Sequence, residues 1–121
     1  MAQMDLNAVL AAQRAGAAAE LPVGAAVRKD RLQRSIHMLV ENGQKFVDAL
    51  SEDFGHRSAD QSWMTDITGP IRQLKHAKKH VDRWMKAERR PLDFPLGLLG
   101  ARARIEYQPK GVIGVISPWN F

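Results

Sequence analysis

The sequence predicts a mainly α-helical chain that ends in two β-strands and forms one part of a larger α/β fold. Three observations carry this prediction. Apolar residues recur at helical spacing from Leu6 to Trp84. The period then changes to two in "ARARIEYQ" (101–108), where Ala101, Ala103, Ile105 and Tyr107 alternate with Arg102, Arg104, Glu106 and Gln108. Last, Val112, Ile113, Val115 and Ile116 make a nearly unbroken apolar run, as expected of a strand covered on both faces. Such a strand needs neighbouring strands on both sides and helices above and below it. The chain offers one other strand candidate, so most of the fold around 112–116 is expected to lie in sequence beyond Phe121.

The first helix is predicted over 5–19, where Leu6, Val9 and Leu10 stand among many alanines, the best helix formers. "LPVG" at 21–24 interrupts it. From Ala25 a second helical block carries Leu32, Ile36, Leu39, Val40, Phe46, Val47, Leu50 and Phe54 at helical spacing, with Gly55 as its stop. Asn42-Gly43 lies in its middle and either kinks the helix or splits it. A third block runs from about Asp60 to Lys86, with Trp63, Ile67, Ile71, Leu74, Val81 and Trp84 on one stripe. Thr68-Gly69-Pro70 interrupts that block, because an interior proline removes a backbone bond and clashes with the preceding turn. The expected result is a kink, or a fresh start with Pro70 in the first turn. "RRPLDFPLGLLGA" (89–101) reads as a connector laid against the body of the protein, and Pro109-Lys110-Gly111 turns the chain between the two strands.

Composition bounds the chemistry. With 45% hydrophobic and 26% charged residues the chain has the make-up of a soluble domain. No stretch approaches the roughly 18 apolar residues of a membrane span. Asp5 and Arg14 stand where a secretory leader would have its apolar core, so a cytoplasmic location is expected. The absence of cysteine excludes a disulfide framework and a thiolate nucleophile within these residues. Of the net charge of +5, the excess is local: residues 72–90 hold eight lysines and arginines against Asp82 and Glu88.

His76 and His80 have the i, i+4 spacing of a two-histidine metal pair, but Lys75, Lys78 and Lys79 surround them and Asp82 is the one nearby carboxylate. A solvated basic face is the expected reading, with no metal site. The same stretch carries no nucleic-acid motif, and Trp63 and Trp84 fall on the apolar stripe, so neither nucleic acid nor a membrane is an expected partner. Ser51, Asp53 and His56 lie close in sequence without the strand-turn-helix elbow that exposes a nucleophile. "PLGLLGAR" has two glycines but no preceding strand for a phosphate loop. "ISPWN" follows a strand directly, where the carboxyl end of a parallel strand opens into a ligand crevice. There the Asn120 amide suits a developing oxyanion. The competing reading is a turn with Trp119 in the core and Asn120 as a loop residue.

These residues carry a resemblance. "PKGVIGVISPWNF" resembles the aldehyde dehydrogenase segment P-x-G-V-x-x-x-I-x-P-W-N-[FY]-P, with Pro109, Gly111, Val112, Ile116, Pro118, Trp119, Asn120 and Phe121 at its fixed positions. "RLQRSIHMLVENGQKFVDALSEDFG" is similar to the branch that contains the class 3 and coniferyl aldehyde dehydrogenases. The resemblance implies a doubly wound, Rossmann-like α/β protein. In it, residues 1–100 form the helical start and connector, 101–111 a strand and turn of the oligomerisation elements, and 112–121 the beginning of the cofactor domain. It further implies that Ile116, Ser117, Pro118 and Trp119 line the site of NAD or NADP, and that Asn120 donates its amide to the substrate oxygen. The implied reaction oxidises an aromatic or other hydrophobic aldehyde to its acid through a cysteine thiohemiacetal and thioester, in a homodimer. The cysteine, the general-base glutamate, the adenosine-binding lysine and the glycine-rich turn of that family belong beyond Phe121. The 121 residues alone are therefore expected to be inactive. The alternative is a short non-enzymatic helical protein that binds a partner or an acidic surface through residues 72–90.

Overall fold

The computed structural model describes residues 5–118. They fall into two compact units: Met1–Val23 with Gln108–Phe121, and Gly24–Tyr107. In the first unit, α1 spans Leu6–Ala19. Asp5 caps it: its carboxylate accepts from the backbone N–H of Asn7 at 2.9 Å and of Ala8 at 3.3 Å. These are two of the donors that a helix start leaves unpaired. Residues 108–118 of the same unit form no regular element.

The second unit is built on α2, a single 30-residue helix over Ala25–Phe54. Asn42-Gly43 neither kinks nor splits it. Asn42 turns its side-chain amide back onto the Met38 carbonyl at 2.9 Å, and Gly43 is buried as a notch for an aromatic ring. A Cβ at Gly43 would lie 2.6 Å from Cη2 and 2.8 Å from Cζ3 of Trp63. Glycine here is a packing requirement. Alanine gains about 1 kcal/mol of helix propensity at such a site, but overpacking costs about 1–3 kcal/mol. Gly43→Ala is therefore expected to be destabilising by about 1 kcal/mol net, read as a lower urea midpoint. A raised midpoint would show that the Trp63 ring swings aside freely. The helix stops at Gly55, whose φ of 84° is the left-handed conformation that glycine adopts without strain.

The chain returns through α3 (Ala59–Ser62), a π-helical turn (Trp63–Thr68) and α4 (Gly69–Trp84). Ser58 caps α3 by accepting from the Gln61 N–H at 3.4 Å. Thr68-Gly69-Pro70 does not restart the helix, since Thr68 and Gly69 keep helical backbone angles between the π turn and α4. The Gly69 N–H reaches back five residues to the Met64 carbonyl, and Pro70 falls in the first turn of α4, where its missing N–H leaves nothing unpaired. The extra residue of the π turn thus lets the helical path continue through a proline. α4 ends at Trp84, two residues short of the expected Lys86.

α2 and α4 pack antiparallel. Lys29 pairs with Asp82, and Lys78 donates to the Gln33 side-chain oxygen at 2.7 Å, so residues advance along one helix as they retreat along the other. Ile36 and Val47 from α2, Ile67 from the π turn and Val81 from α4 are buried between them. Trp63 and Trp84, expected on the buried stripe, keep 37% and 45% of their surface exposed. Trp84 instead stands in a ladder with His76 and His80 along α4.

Among the described residues two strands are present, one within the expected 101–108 segment and one where a connector was expected. β1 (Glu88–Arg90) pairs antiparallel with β2 (Ala103–Ile105), in the register Glu88 to Ile105, Arg89 to Arg104 and Arg90 to Ala103. β2 lies within the predicted 101–108 segment. β1 arises where a connector was expected, because Glu88-Arg89-Arg90 has no hydrophobic alternation and becomes a strand only through its partner. The run 112–116 joins no ladder among the described residues, and Ile113, Val115 and Ile116 are exposed. Its physical cause is the one read from sequence: no strand among these residues lies beside it.

Candidate functional site

The segment singled out in sequence begins at Pro109. Gly111 takes a φ of 84°, so the turn after Pro109 uses a conformation that a side chain would strain. From there to Pro118 the chain runs without helix or strand, and Ile116, Ser117 and Pro118 are exposed, Ile116 by 98%. The backbone over 111–118 donates no turn or ladder hydrogen bond among the described residues. Trp119 and Asn120, the remaining site residues read from the sequence, lie outside the described residues.

A pattern for the "Aldehyde dehydrogenase family" matches residues 2–121. The chain belongs to the aldehyde dehydrogenase family.

Among its relatives are coniferyl and family 3 aldehyde dehydrogenases. A protein named coniferyl aldehyde dehydrogenase from Pseudomonas sp. (strain HR199 / DSM 7063) is 48% identical over 100 residues, which are 83% of this chain and 20% of that protein. A second, named "Probable coniferyl aldehyde dehydrogenase", from Caulobacter vibrioides, is 44% identical over 96% of this chain and 24% of its own length. Human aldehyde dehydrogenase family 3 member B1 is 34% identical over 78% of this chain and 19% of its own length. The chain thus spans about a quarter or less of the curated relatives it matches. No solved structure gives a significant match.

The other clusters singled out in sequence lie within Gly24–Tyr107. On α4 the His76 and His80 rings lie 4.3 Å apart at an interplanar angle of 45°, and His80 stacks on Trp84 with centroids 6.0 Å apart. Loss of water on packing, then the charges of His76, Arg83 and Lys79, hold the His80 imidazole below its ordinary value of 6.5. Among the described residues no group of three or more histidines, cysteines or carboxylates is placed to hold a metal ion. Ser51 lies within α2 and His56 beyond its end, and neither hydrogen-bonds to the other or to Asp53 among the described residues. No helix among them is long and apolar enough to cross a membrane.

Two polar clusters escape sequence reasoning. Arg57 sits in the α2–α3 loop with its side chain 8% exposed, donating to Ser62 Oγ at 3.1 Å and to Asp66 Oδ2 at 2.8 Å. Tyr107 donates to Glu88 Oε1 at 2.6 Å, while Glu88 Oε2 accepts from Arg90 at 2.7 Å. The hydrogen bond and the Glu88 charge raise the Tyr107 phenol above its ordinary value of 10.0. A raised phenol favours the hairpin while protonated, so this contribution is full below pH 10 and is lost as pH rises through the folded value. In an ultraviolet titration the Tyr107 midpoint is expected above 10.0, moving down in Glu88→Ala. An unmoved midpoint would mean that Glu88 is not its partner in solution.

Proposed function

We propose that the whole protein oxidises an aromatic or other hydrophobic aldehyde, such as coniferyl aldehyde, to its carboxylic acid with NAD or NADP. The observation that carries this reading is the run Pro109–Phe121, which meets the family pattern at eight positions within a chain matched over residues 2–121. The names of its bacterial relatives support the aromatic substrate class.

The segment suits a nicotinamide cofactor. Supporting this, the backbone before the Trp119-Asn120 pair forms no ladder among the described residues, and Ile116, Ser117 and Pro118 are exposed. In this reading Ile116, Ser117, Pro118 and Trp119 hold and orient the group, which when bound accepts a hydride from the substrate carbon. Asn120 directs its amide N–H at the substrate oxygen and stabilises negative charge there as a cysteine outside these 121 residues attacks the carbonyl. A glutamate, also outside, activates the water that releases the acid. The division into 1–100, 101–111 and 112–121 belongs to the same proposal. A cytoplasmic homodimer completes it.

The test is a coupled assay of the purified full-length gene product with coniferyl aldehyde and either NAD or NADP, followed by the absorbance of the reduced nicotinamide. Aldehyde-dependent reduction with acid as product is expected. No reduction with any aromatic or aliphatic aldehyde and either cofactor would overturn the proposal.

A further inference from the structure

Among the described residues three adopt a positive φ, and all are glycines: Gly55 at 84°, Gly100 at 82° and Gly111 at 84°. Such backbone favours glycine, because a Cβ would crowd the neighbouring carbonyl oxygen. Two of the three close a local hydrogen bond. The Gly55 N–H donates to the Glu52 carbonyl at 3.3 Å where α2 ends, and the Gly100 N–H donates to the Gly97 carbonyl at 3.2 Å. Gly111 is different. Its N–H makes no such bond among the described residues, and nothing among them lies within 4 Å of where its Cβ would stand. Neither a helix end, nor a hydrogen-bonded turn, nor a close neighbour among these residues accounts for its conformation.

What distinguishes Gly111 is its place in the chain. Pro109, two residues before it, has its φ fixed by its ring, and Val112, directly after it, opens the apolar run that leads to Ile116, Ser117 and Pro118. The direction of that run is decided at Gly111. Ile116 lies five residues on, a span that reaches up to about 17 Å. Changing φ at Gly111 to the negative values of other residues would therefore carry Ile116 through several ångströms. A misplacement of about 1 Å is enough to spoil a site.

We infer that Gly111 is a positioning residue for the nicotinamide cofactor: its left-handed turn sets the direction of 112–118 and so the place of Ile116, Ser117 and Pro118. The inference rests on the proposed function, which puts the cofactor on those residues. Gly111 acts through them and touches neither cofactor nor substrate. Any other residue at 111 must either hold the strained angle, at a cost to the fold, or relax to a negative φ and carry the segment out of place. With no backbone hydrogen bond at Gly111 to hold the angle among the described residues, relaxation costs less. The loss then falls on cofactor binding and not on stability.

The test uses the full-length protein, with NAD and NADP each titrated by calorimetry and urea unfolding followed without cofactor. Gly111→Ala is expected to raise the Kd of the cofactor that the native enzyme binds about tenfold, the factor that about 1.4 kcal/mol of left-handed penalty represents, and to leave the urea midpoint in place. Gly111→Asn should recover most of the affinity, because asparagine tolerates the left-handed region. Gly55→Ala is the control, with the same positive φ at the end of α2. It should show the reverse, a lower midpoint with an unchanged Kd. A Gly111→Ala enzyme with the native Kd, whether or not its midpoint falls, would overturn the inference and leave the turn a structural one. So would equal weakening by alanine and asparagine, which would point to side-chain bulk and not to the backbone angle. A native protein that binds neither NAD nor NADP is a separate result, read before any variant: it would overturn the proposed oxidation, and this inference with it.

Discussion

Asn120→Ala in the full-length enzyme is expected to lower kcat about 100- to 1,000-fold while KM changes little. The size follows from what the amide does in the proposed reaction. The substrate carbonyl carries only partial charge, so one neutral donor adds little to ground-state binding. When the thiolate adds, a full negative charge develops on the same oxygen, and a fixed donor in a water-poor site stabilises it by about 3–4 kcal/mol. An interaction realised only in the transition state appears in kcat rather than KM. Asn120→Asp should be at least as damaging, since it replaces the donor by a like charge. The measurement is steady-state turnover of both variants, with nicotinamide binding followed separately to show an intact site. Turnover equal to that of the native enzyme would take Asn120 out of the oxyanion role and return it to a loop residue.

Arg57→Ala is expected to destabilise the helical unit by about 2–4 kcal/mol. The guanidinium holds three things together. It donates to Asp66 in the π turn and to Ser62, which is 1% exposed, and it lies 5.5 Å over the Phe54 ring at the end of α2. Removing it leaves the Asp66 carboxylate, 28% exposed, with the Thr65 hydroxyl at 3.1 Å but no cation, and a fully buried hydroxyl without the guanidinium donor. The uncompensated groups, more than the lost attraction, set the size of the effect. Arg57→Lys keeps the charge but offers one point in place of a fork, and should recover about half. Arg57→Met combined with Asp66→Leu removes both ions together and should be milder than Arg57→Ala alone. Urea unfolding followed by tryptophan fluorescence reads all three. If Arg57→Ala unfolds at the native midpoint, the pair contributes nothing and the π turn is held by packing alone.

The helices were legible because their determinants are local. Asp5 stands one residue before α1 and accepts from its first turn, Gly55 ends α2 in a left-handed conformation, and the apolar spacing from Ile36 to Val47 repeats within a few turns. The family was legible in Pro109–Phe121 for a different reason. Its pattern rests on which residues follow one another, and sequence records that directly.

Tertiary structure decided what depends on a distant partner. Whether Asn42-Gly43 breaks a helix turns on Trp63, twenty residues away, whose ring fills the space a side chain at Gly43 would take. Glu88–Arg90 is a strand only because Ala103–Ile105 returns beside it, and 112–116 joins no ladder because no strand does. Arg57 carries no periodic signal. Its role exists only where the loop after α2 meets the π turn. The division has one physical cause: caps and spacing act through hydrogen bonds a few residues apart, whereas pairing and burial depend on which surface the folded chain brings alongside.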